Sequence, residues 1–147
     1  MSNYIAQYIT LAEYTCPCGH CHGLPPMLNE IVDTNDIPVI YSEFFDDFSV
    51  IRAEWGKPIR ISSGYRCPKY NASIGGSLLS AHMAGIALDL DVNIGEVERL
   101  DAIIEDVAPH LRRGKYTNAG SFIHIDVAFH VYPRMSETWV QGYRFYG

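Results

Sequence analysis

An α+β fold, with a small antiparallel sheet and helices packed on one of its faces, is the class this sequence predicts. Three observations carry that expectation. Two segments repeat apolar residues at spacings of three and four, the mark of a helix with one buried stripe. Two others alternate apolar and polar residues, the mark of a strand with one buried face. The chain has 147 residues, 48% of them apolar and 19% charged, which suits one enclosed core and argues against disorder.

Residues 1–30 read as a loop-rich arm ending in Gly23-Leu24-Pro25-Pro26, and residues 31–147 as the core of a single domain. A helix is predicted over 38–55, where Val39, Ile40, Phe44, Phe45, Phe48 and Ile51 form the stripe and Glu43, Asp46, Asp47 and Arg52 fall between them. Gly56-Lys57-Pro58 stops it and leads into a strand over 59–63. Residues 64–77 are rich in turn formers, with Gly75-Gly76 inside them. A second strand is predicted over 87–92, a second helix over 96–108 with Val97, Leu100, Ile103, Ile104 and Val107 on one side, and a third strand over 122–127. The aromatic tail is expected to end in a short strand over 143–146. No repeat, low-complexity segment or linker interrupts the chain.

Charge narrows the partners. Seventeen acidic residues against eleven Lys and Arg leave a net charge of −6, the wrong sign for a protein that grips nucleic acid phosphates. No apolar run reaches the ~18 residues of a membrane span. The first eight residues lack the basic and apolar regions of a secretory signal, so synthesis in the cytoplasm is expected. Three cysteines crowd into Cys16-Pro17-Cys18-Gly19-His20-Cys21-His22, and the fourth is Cys67. Thiolates and imidazoles suit zinc, yet the spacing is not that of paired C-x₂-C motifs. A zinc knuckle and a tight turn with thiols that are free or partly disulfide-bonded, one of them to Cys67, both remain open.

The second and third strands carry the chemistry. On the second, Leu88, Leu90 and Val92 share one face, and Ala87, Asp89 and Asp91 the other. On the third, Ile123, Ile125 and Val127 oppose Phe122, His124 and Asp126. His82 precedes Asp89 by seven residues, with Gly85 available for a sharp turn between them. His82, Asp89 and His124 would then offer two nitrogens and one oxygen to a cation, a known donor set for catalytic zinc. Spacing alone leaves a metal site and a solvated polar face both standing. His110 follows Pro109 at a helix end and reads as a solvated cap, and His130 has no assigned role.

Ser63-Gly64-Tyr65-Arg66-Cys67-Pro68, then Asn71, Gly75-Gly76, Ser80-x-His82-x-x-Gly85-x-Ala87-x-Asp89 and His124-x-Asp126 resemble the zinc D-Ala-D-Ala carboxypeptidase family. These are peptidoglycan peptidases that share a fold with hedgehog and the vancomycin-resistance D,D-dipeptidases. The likeness covers roughly residues 10–127. It implies that His82, Asp89 and His124 bind zinc and that Arg66 pairs with a substrate carboxylate through its planar fork. It also implies that Ser80 bonds substrate or supports a ligand. Tyr65 either borders the cleft or packs as an ordinary tyrosine.

One position departs from the family pattern. Many relatives carry an acid three residues before the last histidine ligand, acting as general base, and here Ser121 stands there. Asp126 is the first candidate to replace it, either as the base or as a partner that orients an imidazole; Asp91 is another. The resemblance implies zinc-dependent hydrolysis of stem-peptide bonds next to D-amino acids, by a monomer acting on the cell wall as a remodelling enzyme or a phage lysis or entry protein. A catalytically silent, zinc-stabilised peptidoglycan-binding module is the alternative.

Overall fold

The computed structural model describes residues 3–29, 38–118, 120–130 and 142–146, without the side chains of Met27, Asn29, His130 and Tyr146. Two short strands, β1 (Tyr4–Ala6) and β2 (Ile9–Thr10), pair antiparallel and lead into α1 (Leu11–Tyr14). Thr10 and Glu13 close a capping box: the Thr10 hydroxyl accepts from the Glu13 N–H at 3.1 Å, and the Glu13 carboxylate accepts from the Thr10 N–H at 3.2 Å. The other Glu13 oxygen accepts from the Ile61 N–H at 2.9 Å, which ties the arm to the main sheet. A single turn, α2 (Pro26–Asn29), follows.

The long helix α3 (Val39–Trp55) buries Tyr41, Phe44, Phe45, Phe48, Ile51 and Trp55. Their spacing of three and four defines the stripe. Val39 falls off it and is 67% exposed, against the sequence expectation. Gly56, with φ 80°, caps the helix in the left-handed region. Next come β3 (Ile61–Ser63), α4 (Pro68–Ser73), a 3₁₀ turn (Ala81–Ala84), β4 (Ala87–Asp91), a second 3₁₀ turn (Ile94–Glu96), α5 (Val97–Val107), β5 (Arg112–Tyr116), β6 (Phe122–Asp126) and β7 (Arg144–Tyr146).

The main sheet has five strands in the order β3-β4-β6-β5-β7, antiparallel except for the parallel pair β5 and β7. The fold is α+β, as the sequence patterning predicts. Leu88, Leu90, Ile123 and Ile125 are fully buried on one side of the sheet, in a core shared with α3 and with Leu100 and Ile104 of α5. Burial of such side chains contributes about 1.5–3 kcal/mol each. The four anticipated strands are each slightly shorter than predicted, because pairing ends where the chain turns.

Within the main sheet, β5 is the strand the hydrophobic pattern does not reveal; the short β1, β2, α1, α2 and α4 likewise fall in stretches expected as loop or turn. The β5 sequence, Arg-Arg-Gly-Lys-Tyr, shows no apolar alternation, yet the strand lies inside the sheet between β6 and β7. Its charges are paired on both faces. Arg112 meets Asp126 on the polar face, and Arg113, 1% exposed, bonds Asp101 and Glu105 of α5 on the core face. Buried charge is tolerated only when partnered in this way. His110 also differs from expectation: its Nε2 lies 2.8 Å from Asp47 Oδ2, bridging to α3 instead of capping α5. Among the described residues, no helix is long and apolar enough to cross a membrane.

Candidate metal centre

The antiparallel register sets Asp89 of β4 directly opposite His124 of β6, with Ser63 of β3 beside Asp89 and Gly114 of β5 beside His124. His82 arrives from outside the sheet. The Ser80 hydroxyl accepts from the His82 N–H at 3.3 Å and starts the 3₁₀ turn; Gly85 ends it with φ 78°, a conformation that favours glycine. Two phenols pin the turn from below: Tyr14 donates to the Gly85 carbonyl at 2.7 Å and Tyr41 to that of Ala84 at 3.0 Å. A Cβ on Gly85 would collide with Pro25 and with the Tyr14 hydroxyl, so this backbone must pass without a side chain.

These elements bring one donor atom each from His82, Asp89 and His124 within 4.8 Å of one another. His82 is 2% exposed, and its Nδ1 donates to the Gly64 carbonyl at 2.6 Å. That carbonyl can only accept, so the Nδ1 hydrogen fixes the tautomer and leaves the Nε2 lone pair facing Asp89 Oδ1 at 3.1 Å. On the other side, His124 Nε2 donates to Asp126 Oδ2 at 2.7 Å, and His124 Nδ1 faces the same Asp89 oxygen at 3.0 Å. Two imidazoles thus point inward at one carboxylate oxygen while their outer nitrogens are anchored. Such an arrangement requires a positive charge in its middle.

Without a metal, a proton on His124 supplies that charge. Burial alone would depress the imidazole's pKa, but the hydrogen bonds and charges of Asp126 and Asp89 overcome it and raise it to about 9. Burial keeps His82 neutral, below its ordinary value. Burial likewise opposes ionisation of Asp89, yet the two histidines hold its carboxyl well below the usual range. Two neutral-capable nitrogens and one firm carboxylate fit zinc, with coordination left open on the groove side. Each outer nitrogen rests on an oxygen, the supporting arrangement typical of metal-bound histidine.

The groove above the centre measures about 450 Å³, and its lining includes Arg66, Ser80, Tyr116, Phe122 and Phe145. Arg66 Nη2 donates to the second Asp89 oxygen at 3.4 Å, Nε to the Ser63 hydroxyl at 3.0 Å and Nη1 to Asn71 Oδ1 at 3.2 Å. Asn71, 2% exposed, in turn donates to the Ser77 carbonyl and so fixes the Gly75-Gly76 turn along the groove. Asn71 acts here as the brace for Arg66.

Of the other sequence candidates, Tyr65 and Asp91 fall outside this groove, whereas Asp126 belongs to its lining. Tyr65 is 4% exposed and belongs to the core instead of the groove lining; burial first, then the cysteine sulfurs beside it, push its phenol up to about 12. Asp91 pairs with Arg60 at 3.5 Å and lines a neighbouring groove, as does Ser121, whose hydroxyl donates to the Val92 carbonyl. Asp126 is fully buried: Oδ1 accepts from Arg112 Nε and the Ala128 N–H, and Oδ2 from Arg112 Nη2 and His124 Nε2.

Arg112 and Phe145 were not singled out from sequence. Arg112 grips Asp126 with a two-pronged guanidinium contact. Phe145 lies over Gly114, where an added Cβ would come within 2.1 Å of its ring, and its centroid is 5.6 Å from that of His124. A glycine between two charged residues in an otherwise extended segment was the available signal for such close approach.

A small α+β domain whose sheet carries a buried His-Asp-His centre beneath an arginine-walled groove belongs to the class of metallohydrolase folds. Residues 20–126 match the family model of Peptidase M15, the zinc D-Ala-D-Ala carboxypeptidase family, and the chain belongs to that family. A search of curated proteins found none that matches it.

Proposed function

We propose that the chain is a zinc-dependent peptidoglycan peptidase that hydrolyses a stem-peptide bond next to a D-amino acid. The observation that supports this reading is the convergence of His82, Asp89 and His124 at the floor of a groove walled by Arg66. A zinc ion bound there would polarise a carbonyl and lower the pKa of a water to about 7. His82 and His124 would present Nε2 and Nδ1 to it, each held by its outer hydrogen bond. Arg66 uses three N–H groups within the protein and keeps two of a guanidinium's roughly five for a substrate carboxylate. Tyr116 lines the same groove; burial first, then the charges of Asp89 and Asp126, raise its pKa, so it stays a hydrogen-bond donor toward a bound peptide.

For Asp126 we favour the orienting role over that of base, because four hydrogen bonds engage its oxygens and it has no exposure. Ser80 supports His82 through the turn it caps. Wall remodelling and phage lysis or entry are the two settings this activity suits. A second reading, a zinc-stabilised module that holds peptidoglycan without cutting it, draws on Ser121 and on the absence of an unengaged carboxylate among the described residues of the groove. Purified cell-wall sacculi separate the two. The enzyme releases fragments that mass spectrometry resolves, and both a chelator and His82→Ala abolish the release. Zinc retained without any cleavage favours the module.

A further inference from the structure

We propose that Cys16, Cys18, Cys21 and Cys67 form a second, structural zinc site that fastens the N-terminal arm to the segment carrying Arg66. The four sulfurs lie within 4.8 Å of one another although 45 residues lie between the third and the fourth. A tetrahedral zinc with Zn–S bonds of about 2.3 Å sets its sulfurs roughly 3.8 Å apart. Cys18 Sγ and Cys67 Sγ are 3.8 Å apart, and all four cysteines are free of disulfides, contrary to a bridge to Cys67. His20 and His22, neighbours in sequence, are exposed and outside the cluster.

A second observation is independent of sulfur spacing. Each sulfur accepts one backbone N–H: Cys16 from Cys67 at 3.4 Å, Cys18 from His20 at 3.3 Å, Cys21 from Gly23 at 3.2 Å and Cys67 from Tyr70 at 3.4 Å. A neutral thiol is a weak acceptor with little need of such a partner, whereas a metal-bound thiolate is steadied by one. Four thiols would lose their protons and form four Zn–S bonds, giving a closed site with no position for substrate. Gly19 and Gly23, both at positive φ, let the loop fold back so that three sulfurs face one point.

The site's place in the fold gives it a purpose. Cys67 directly follows Arg66, whose N–H donates to the His82 carbonyl at 3.1 Å, and the Tyr65 N–H donates to the Tyr14 carbonyl at 2.7 Å. Metal on Cys67 would therefore hold the 64–67 segment, whose Gly64 carbonyl in turn bonds His82 Nδ1. The two sites would share one short strip of backbone while binding different metals' worth of ligands.

Cobalt(II) loaded into the full chain, purified anaerobically, tests the assignment without any enzyme assay. The unmutated protein should show intense thiolate-to-cobalt charge-transfer absorption in the near ultraviolet, retained in His82→Ala and lost in Cys18→Ser/Cys21→Ser. Zinc content should fall from two equivalents to one in the double variant, and alkylation should reach the four thiols only after chelation. Because the cobalt spectrum is read on the unmutated chain, a variant that misfolds does not spoil the test. No charge-transfer band in the cobalt-loaded wild type, equal zinc in wild type and double variant, or a disulfide among the four in anaerobic protein would each overturn the proposal.

Discussion

At the scale of single residues, the centre is a problem in charge. His82 and His124 aim their inner nitrogens at one oxygen of Asp89, so a cation or a proton must sit among them. In the metal-free protein His124 should keep its proton up to about pH 9, while His82 stays neutral. The sign follows from linkage: a folded pKa above the ordinary 6.5 contributes stability that is complete below pH 6.5 and lost as the pH rises through about 9. Imidazole NMR of the metal-free chain reads this directly, and a His124 that titrates near 6.5 contradicts it. Asp126→Asn removes one of the two carboxylates. We expect the His124 titration to move down and metal affinity to fall about 10–100-fold. An unchanged titration would show that Asp126 does not orient His124.

At the scale of elements, β4 and β6 supply the site because their pairing is in register and their residues alternate. Period two made Asp89, His124 and Asp126 legible from sequence, and the Gly85 turn made His82 legible with them. Legibility stopped at β5 and at the pairing of β7, a strand the aromatic tail marks without showing its neighbour. Arg112 and Arg113 look like solvated loop residues until Asp126 and Asp101 are placed opposite them, and that pairing is a long-range fact. The role of Phe145 depends in the same way on Gly114, far from it in the chain but its direct partner across the β5–β7 pair. The cysteine cluster hid for a similar reason: three members are adjacent in the chain, but Cys67 joins them only through the fold. Gly114→Val tests the packing logic. The new side chain must displace the Phe145 ring, and we expect a loss of about 1–3 kcal/mol in chemical denaturation. A variant as stable as the wild type would mean that β7 does not depend on that close approach.

At the scale of the whole molecule, the net charge of −6 sets how the chain meets its proposed target. Bacterial walls are usually anionic, so long-range steering opposes the encounter. Recognition then rests on the groove, where Arg66 offers a short-range contact that salt screens little. Raising the ionic strength from about 0.01 M to 0.15 M shortens the Debye length from roughly 30 Å to 8 Å and should leave co-sedimentation with sacculi unchanged or stronger. Binding that falls with salt would point to a cationic surface this composition does not suggest. The most direct measurement is a zinc titration of metal-stripped protein acting on a synthetic stem peptide that ends in a free D-alanine carboxylate. We predict no cleavage before zinc is added, hydrolysis that rises to saturation as zinc is supplied, and none at any zinc level in His82→Ala. Cleavage by the stripped protein, or by His82→Ala at the wild-type rate, would contradict the assignment of His82, Asp89 and His124 as the working metal centre.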